Sequence, residues 1–357
     1  MAEPLSLLRK NIRNLVPYSS ARDEYKGEDA VFLDANENPY SSPLNRYPDP
    51  LQVRLKNRIS AIKSLPLQNI FLGNGSDEAI DLLIRAFCEP GVDNILAMKP
   101  TYGMYKVCAD INGVSYRDVL LNQVYQLDTG KLLSLGDSHS KLLFLCSPNN
   151  PTSNSLNRED IMELVRKFSG LVVLDEAYID FSVSPSLVPE LGQHPNLVIL
   201  QTFSKAWGMA GIRLGMAFAH REIIDVLNRI KYPYNVNILT QRTALDRLEN
   251  TGNKEIWVRQ ILEQRSMLQQ GLLRFREVRD IMPSDANFLM VRFEDPGVVF
   301  RFLIGKKIIV RDRSRVPLCE GYLRITVGTA EENHLLVETL HEFFASTDTV
   351  YHNPQKP

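Results

Sequence analysis

The chain has 357 residues, 44% hydrophobic and 23% charged, a composition that suits a globular protein with one large and one smaller domain. A formal net charge of −1 lacks the basic surplus that a phosphate backbone requires, which excludes a nucleic-acid footprint. No stretch reaches the ~18 apolar residues of a membrane span, and the widely spaced Cys88, Cys108, Cys146 and Cys319 contain no C-x-x-C pair that would announce zinc or a disulfide framework.

Residues 1–20 carry charges at Glu3, Arg9, Lys10 and Arg13 and lack an apolar core of signal-peptide length, so a cytoplasmic protein is expected. The segment around Tyr47, Asn45-Arg-Tyr-Pro-Asp49, reads as a loop by composition. Next, Leu72-Gly-Asn-Gly-Ser76 leads into a helix with Ile80, Leu83, Ile84 and Phe87 on its apolar face. Short apolar runs follow at 95–98, 142–146, 171–174 and 197–200, separated by helix-like stretches such as 157–168. That alternation predicts an α/β domain over 40–245, with a mostly parallel sheet flanked by helices. Past about residue 240 the pattern changes to a long charged amphipathic stretch, 241–276. Strand candidates at 288–292, 308–311 and 322–327 come next, then a helix from Glu331. This reads as a smaller α+β domain over 246–345, joined by residues 1–39, with a frayed polar tail at 346–357.

Three of the predicted strands end in polar groups. The run at 142–146 opens into Ser147-Pro-Asn-Asn-Pro-Thr152 with Asn150, the next leads to Asp175 and Tyr178, and the last to Ser204 and Lys205. In an open α/β sheet, ligands bind outside the carboxyl ends of the strands, so one site can collect all of them. A lysine able to form a Schiff base, a carboxylate that can keep a pyridine nitrogen protonated, a nearby tyrosine and the downstream Arg213 are the groups that pyridoxal phosphate needs. At the start of the first helix, the amides of Gly75, Ser76 and Asp77 would point at an anion, although Ser76 and Asp77 are by themselves ordinary cap and first-turn residues.

The ordered set Gly75-Ser-Asp77, Thr101-Tyr-Gly-Met-Tyr105, Ser147-Pro-Asn-Asn-Pro-Thr152, Asp175-Glu-Ala-Tyr178, Thr202-Phe-Ser-Lys205, Gly211-Ile-Arg-Leu-Gly215 and Leu323-Arg-Ile-Thr-Val-Gly328 resembles the fold-type I aminotransferases. Among these it is most similar to the histidinol-phosphate aminotransferases, from Asn11 to about Gly328. The resemblance implies pyridoxal 5'-phosphate as cofactor, with Lys205, Asp175 and Tyr178 in catalysis. It places Ser204 and Arg213 on the cofactor's phosphate together with Gly75, Ser76 and Asp77, Tyr102 over its ring and Asn150 beside its phenolic oxygen, and counts Thr202 among the cofactor-binding residues. Tyr47 would reach the neighbouring site of a homodimer. Arg324, Tyr18 and Asn36 would meet the substrates, histidinol phosphate and 2-oxoglutarate. No metal is implied.

Ser153 departs from the family loop, which usually carries glycine there; serine is tolerable if the backbone does not need a positive φ and strained if it does. The basic cluster Arg301, Lys306, Lys307, Arg311, Arg313 and Arg315 reads as a solvated face, with Arg311 as a candidate second anion contact. Threonine-phosphate decarboxylases and aromatic aminotransferases share much of the pattern and stay open as alternatives. A cofactor-binding sensor would carry an extra DNA-binding module before residue 11, for which the pattern leaves no room.

Overall fold

A computed structural model describes residues 3–17, 31–40 and 42–351, with side chains described up to residue 345; Tyr18 lies outside the described residues. The larger of two sheets takes β1 (Ile70–Asn74), β2 (Asn94–Lys99), β3 (Ser115–Leu120), β4 (Ser140–Cys146), β5 (Leu171–Asp175), β6 (Leu197–Thr202) and β7 (Leu214–Ala219), in the spatial order β1-β7-β6-β5-β4-β2-β3. Strands from β3 across to β6 are parallel, and β7 runs antiparallel to both β6 and β1. Residues of β5, β6 and β7 are buried throughout, as strands covered on both faces must be.

The predicted runs form β2, β4, β5 and β6. The other three strands carry weaker signals. β3 (SYRDVL) is a polar edge strand with no fully buried residue, and the glycines in β1 and β7 interrupt their apolar runs.

Around this sheet pack α1 (Lys10–Arg13), α2 (Val53–Lys63), α3 (Ser76–Phe87), α4 (Met104–Ile111), α5 (Thr129–Leu135), α6 (Arg158–Lys167), α7 (Arg221–Ile230) and α8 (Ile238–Glu249). One face is covered by a core that includes Leu55 and Ile59 of α2 and Leu164 and Val165 of α6. The other is covered by Ile80, Leu83 and Phe87 of α3, Ala109 of α4 and Leu227 of α7. α6 forms where its apolar period predicts, and the Asn157 side chain caps it by accepting from the Glu159 and Asp160 amides.

The second sheet is antiparallel, with β8 (Val278–Ile281), β9 (Phe288–Phe293), β10 (Arg311–Asp312) and β11 (Tyr322–Thr326) in the order β10-β11-β9-β8. It packs against α9 (Gly252–Leu272) and α11 (Ala330–Tyr351) through Leu268, Leu272, Leu289, Val291, Leu336 and Leu340, with α10 (Pro296–Gly305) alongside.

Four expectations need adjustment. The stretch 241–276 is not continuous: α8 ends at Asn250, which leaves the helical region, and α9 begins after Thr251. Asn-Thr-Gly is a run of weak helix formers, so the break is cheap. Ala244 and Leu248 of α8 lie in the large core, so the passage between lobes follows α8 instead of falling at 245/246. Residues 4–13, expected with the small lobe, pack on α3: the Arg9 amide donates to the Ala86 carbonyl, its guanidinium pairs with Glu89 at 3.3 Å, and Leu8 joins the core of that face. The final helix runs on to Tyr351 because no glycine or proline interrupts it before Pro354.

All four cysteines are buried and unpaired. Among the described residues no helix is long and apolar enough to cross a membrane.

Candidate active site

The carboxyl ends of β4, β5 and β6 converge on a cavity of about 290 Å³ whose opposite wall is Arg313 and Arg324 of the small sheet. The turn after β4 is held from within. Asn149, fully buried, donates to the Pro100 carbonyl at 3.0 Å and to Thr152 Oγ1 at 2.7 Å. Asn150 Oδ1 accepts from Arg324 Nη1 at 2.6 Å, which leaves its Nδ2 facing the Tyr178 hydroxyl at 3.5 Å. Asn150 and Tyr178 thus present two donors side by side.

Ser153 does adopt a positive φ, 65°, so the strained alternative holds. Its hydroxyl offsets part of this by donating to Thr152 O at 2.6 Å and Pro283 O at 3.2 Å, and its carbonyl accepts from the Asp285 amide. The serine therefore ties the turn after β4 to the loop between β8 and β9.

Asp175 ends β5 with 3% of its surface exposed. Its Oδ2 accepts from the Tyr105 hydroxyl at 2.8 Å and its Oδ1 from the Ala177 amide at 3.0 Å. Burial nevertheless pushes the carboxyl up to about 6, against the opposing pull of those two bonds and of Lys205. A cationic partner at the exposed edge of this carboxylate would restore its charge.

Lys205 lies in the turn that follows β6. Ser204 donates its amide to Thr202 Oγ1, Met209 donates to the Phe203 carbonyl, and Gly208 closes on the Lys205 carbonyl with φ at 63°. This brings Lys205 Nζ to 5.6 Å from the Tyr178 ring centroid. Burial lowers the amine below its ordinary range, and Arg324 lowers it further. Such an amine is better able to shed its proton and act as a base.

At the other end, α3 begins at Gly75, whose φ is 77° and which provides no side-chain cap, so the first amides of the helix are free for an anion. Gly75 donates its own amide to the Arg213 carbonyl at 2.7 Å, and a Cβ built on it would sit 2.8 Å from Arg213 Nη2. A Cβ on Gly215 would strike the Ser76 amide nitrogen at 2.1 Å. Two glycines therefore bring a helix N-terminus and a guanidinium to one point. Asp77, on the same turn, accepts from the Tyr102 hydroxyl at 3.1 Å and fixes that ring at the cavity edge. A phosphate fits the amides, Ser204 and Arg213, and a protonated ring nitrogen fits Asp175. The donor set suits pyridoxal phosphate.

Of the residues singled out from sequence, Gly75, Ser76, Asp77, Tyr102, Asn150, Asp175, Tyr178, Thr202, Ser204, Lys205, Arg213 and Arg324 all line this cavity. Two of the described ones do not join it: Asn36 is exposed at a φ of 54°, and Tyr47 is 50% exposed and stacks on Tyr234 at 4.4 Å. Tyr18 lies outside the described residues. Arg311 is exposed, whereas Arg313, read as part of the solvated cluster, lines the wall. The other omission is Tyr105. A signal existed for Tyr105, which closes the run Thr101-Tyr-Gly-Met-Tyr105 three residues beyond Tyr102.

The class I and II aminotransferase family model matches residues 24–340. A histidinol-phosphate aminotransferase from Bacteroides fragilis is 55% identical over 338 residues, 94% of this chain and 98% of that protein. Among solved structures, the histidinol-phosphate aminotransferase from Clostridium acetobutylicum is 25% identical, with a TM-score of 0.76 over 83% of this chain and 90% of that one. The enzyme of that name from Sinorhizobium meliloti, solved in complex with pyridoxal-5'-phosphate, shares the fold at 21% identity and a TM-score of 0.77, over 85% of this chain and 83% of that one. With nearly its whole length matched in this way, the chain belongs to the class I and II aminotransferase family and groups there with the histidinol-phosphate aminotransferases.

Proposed function

We propose that the protein is a pyridoxal-phosphate-dependent aminotransferase that exchanges the amino group of L-histidinol phosphate with 2-oxoglutarate, a reaction of histidine biosynthesis, as a cytoplasmic homodimer. The observation that carries the chemistry is the meeting of Lys205, buried Asp175 and the Gly75–Arg213 anion cradle in one cavity. The choice of donor is supported by the 55% identity to a protein bearing the name histidinol-phosphate aminotransferase.

Pyridoxal phosphate, when bound, supplies an aldehyde that takes up amino groups and a pyridine ring that spreads the charge left by a removed proton. The chain's residues do the rest. Ser76, Ser204, Arg213 and the first amides of α3 hold the phosphate. Asp175 holds the proton on the ring nitrogen by charge, which keeps the ring electron-poor. Asn150 and Tyr178 donate to the ring's oxygen, and Tyr102 covers one face. With the cofactor bound, Lys205 would take the proton from the donor carbon that bears the nitrogen and return it on the far side of that nitrogen, at the carbon the cofactor supplies. Arg324, whose guanidinium lies 5.3 Å from the Phe288 ring centroid, grips the anionic end of each substrate in turn.

Replacing Lys205 by alanine should reduce transamination by at least about 10³-fold, the scale of a lost acid–base group. The cofactor should then remain dialysable after borohydride treatment, whereas wild type is labelled covalently at Lys205. Substantial turnover of the variant would remove Lys205 from this role.

A further inference from the structure

Asn150 and Tyr178, the two donors beside the cofactor's ring oxygen, stand on turns of the large lobe, yet both turns are fastened from the small lobe, at the loop 282–287 between β8 and β9. At the far end of the Asn150 turn, the Ser155 amide donates to Asp285 Oδ2 at 3.0 Å, and the Asp285 amide donates back to the Ser153 carbonyl at 2.8 Å. One residue thus grips the turn through both its backbone and its side chain. The Ser155 hydroxyl shares a 2.9 Å hydrogen bond with that of Ser182, which follows the 3-10 turn Ile179–Phe181 just beyond Tyr178. Three residues past Asp285, buried Phe288 meets the Tyr178 ring edge-on at 5.3 Å and lies 5.3 Å from the guanidinium of Arg324, the arginine that holds Asn150 Oδ1. The loop is braced in its own lobe: Ser284 Oγ donates to the Phe288 carbonyl at 2.7 Å, and Arg265 of α9 donates to the Ala286 carbonyl at 2.7 Å. A braced loop can hold what it grips in one place, so the aim of both donors is set from across the cleft.

We propose that Asp285 is a positioning residue for transamination: by gripping Ser153 and Ser155 it aims the Asn150 donor, alongside Tyr178, at the ring oxygen of bound pyridoxal phosphate. Asp285 is not among the residues that line the cavity, so it acts through the turn and not on the substrate. The inference rests on the reading that this cavity holds the cofactor on Lys205, and it is independent of which amine is the donor. Hydrogen bonds to the ring oxygen favour its anionic form. Loosening the turn therefore raises the pH at which the Lys205-linked chromophore loses its proton, and that pH reports how the two lobes meet.

The test is a spectrophotometric pH titration of the cofactor-loaded enzyme as wild type, Asp285→Ala and Asp285→Asn. Alanine leaves the Ser155 amide without its acceptor, and the chromophore pKa should rise by about half a unit to one unit, the scale of one weakened hydrogen bond. Asparagine keeps an oxygen in the same place and should stay close to wild type. A purely structural role would lower the urea midpoint and leave the chromophore pKa where it was, so an unshifted alanine variant overturns the proposal. An asparagine variant shifted as far as alanine overturns it too, because the effect would then be one of charge and not of grip. If Asp285→Ala does not fold, Asp285→Glu, which displaces the oxygens by one carbon, should move the pKa in the same upward direction, and no movement overturns the proposal. In the cofactor-free chain, amide exchange across 152–158 should be about tenfold faster in Asp285→Ala than in wild type, and equal rates count against the grip. Failure of the underlying reading shows separately, in the wild type alone, as the absence of any Lys205-linked absorbance and of borohydride labelling.

Discussion

The Tyr105 hydroxyl donates a 2.8 Å hydrogen bond to Asp175 from a ring that is wholly buried, stacked on Phe144 at 4.7 Å and met edge-on by Tyr102 at 5.6 Å. The residues that present Tyr102 to the cavity thus also set the angle of the carboxylate beneath it. Tyr105 makes no contact with the cavity itself; it acts through Asp175 as a positioning residue.

Tyr105→Phe keeps the packing and removes one donor to the charged form of Asp175. The carboxyl should therefore rise above its already elevated value, and the acid limb of the kcat/KM profile should move to higher pH, with a loss of about tenfold near neutrality. A purely structural role would lower stability and leave the acid limb in place, so the pH profile distinguishes the two.

Asp175 also makes a stability prediction for the cofactor-free protein. Its pKa is about 6 folded against 3.8 in the unfolded chain, so the folded state binds the proton more tightly. The corresponding stability is present below about pH 4 and is lost as the pH rises through 6. Asp175→Asn, which cannot ionise, should be more stable than wild type at pH 7.5 by on the order of 1–3 kcal/mol, with the gap closing toward pH 4. Urea denaturation at both pH values measures it. Adding pyridoxal phosphate should reverse the order, since wild type gains an ion pair that the amide lacks.

The chemistry was easier to read from sequence than the architecture around it. β4, β5 and β6 are continuous apolar runs that end abruptly in Asn150, Asp175 and Lys205, and strand ends of this kind mark a site before any coordinates exist. β3 was obscure for the opposite reason, since an edge strand carries little burial, and the strand candidate at 308–311 meets the structure only at Arg311, because β10 spans Arg311–Asp312 after Lys307 turns through a φ of 63°. Arg313 was misread because charge composition cannot say which arginine of a cluster meets a cavity; that depends on how the chain runs on past the short pairing of β10 with β11, where the Arg313 amide donates to the Tyr322 carbonyl. The packing of residues 4–13 on α3 was equally hidden, since it rests on Arg9 reaching Ala86 and Glu89, about 80 residues on by sequence separation.

Ser153 offers a clean separation of backbone strain from hydrogen bonding. Ser153→Ala keeps the positive φ and loses both hydroxyl bonds, so it should destabilise by about 1–2 kcal/mol. Ser153→Gly loses the same bonds and gains back the roughly 1 kcal/mol that a left-handed residue with a Cβ costs. The glycine variant should therefore be the more stable of the two in denaturant titration; the reverse order would mean that the positive φ carries no penalty here.

Tyr47 points the homodimer proposal at a single experiment. It is exposed and stacked on Tyr234, away from the cavity of its own chain. If it completes the partner's phosphate cradle, Lys205→Ala and Tyr47→Ala are each poorly active alone. Refolded together they should regain activity, because one site of each mixed dimer then holds both an intact Lys205 and an intact Tyr47. Activity no higher than the mean of the two parents would place Tyr47 outside the site.

The central claim is tested most directly by mixing cofactor-loaded enzyme with histidinol phosphate in a single-turnover absorbance experiment, with threonine phosphate and phenylalanine in parallel and 2-oxoglutarate added last. The account predicts that histidinol phosphate converts the cofactor to its amine form fastest and that 2-oxoglutarate restores the starting spectrum. Faster conversion by phenylalanine, or carbon dioxide released from threonine phosphate, would contradict it.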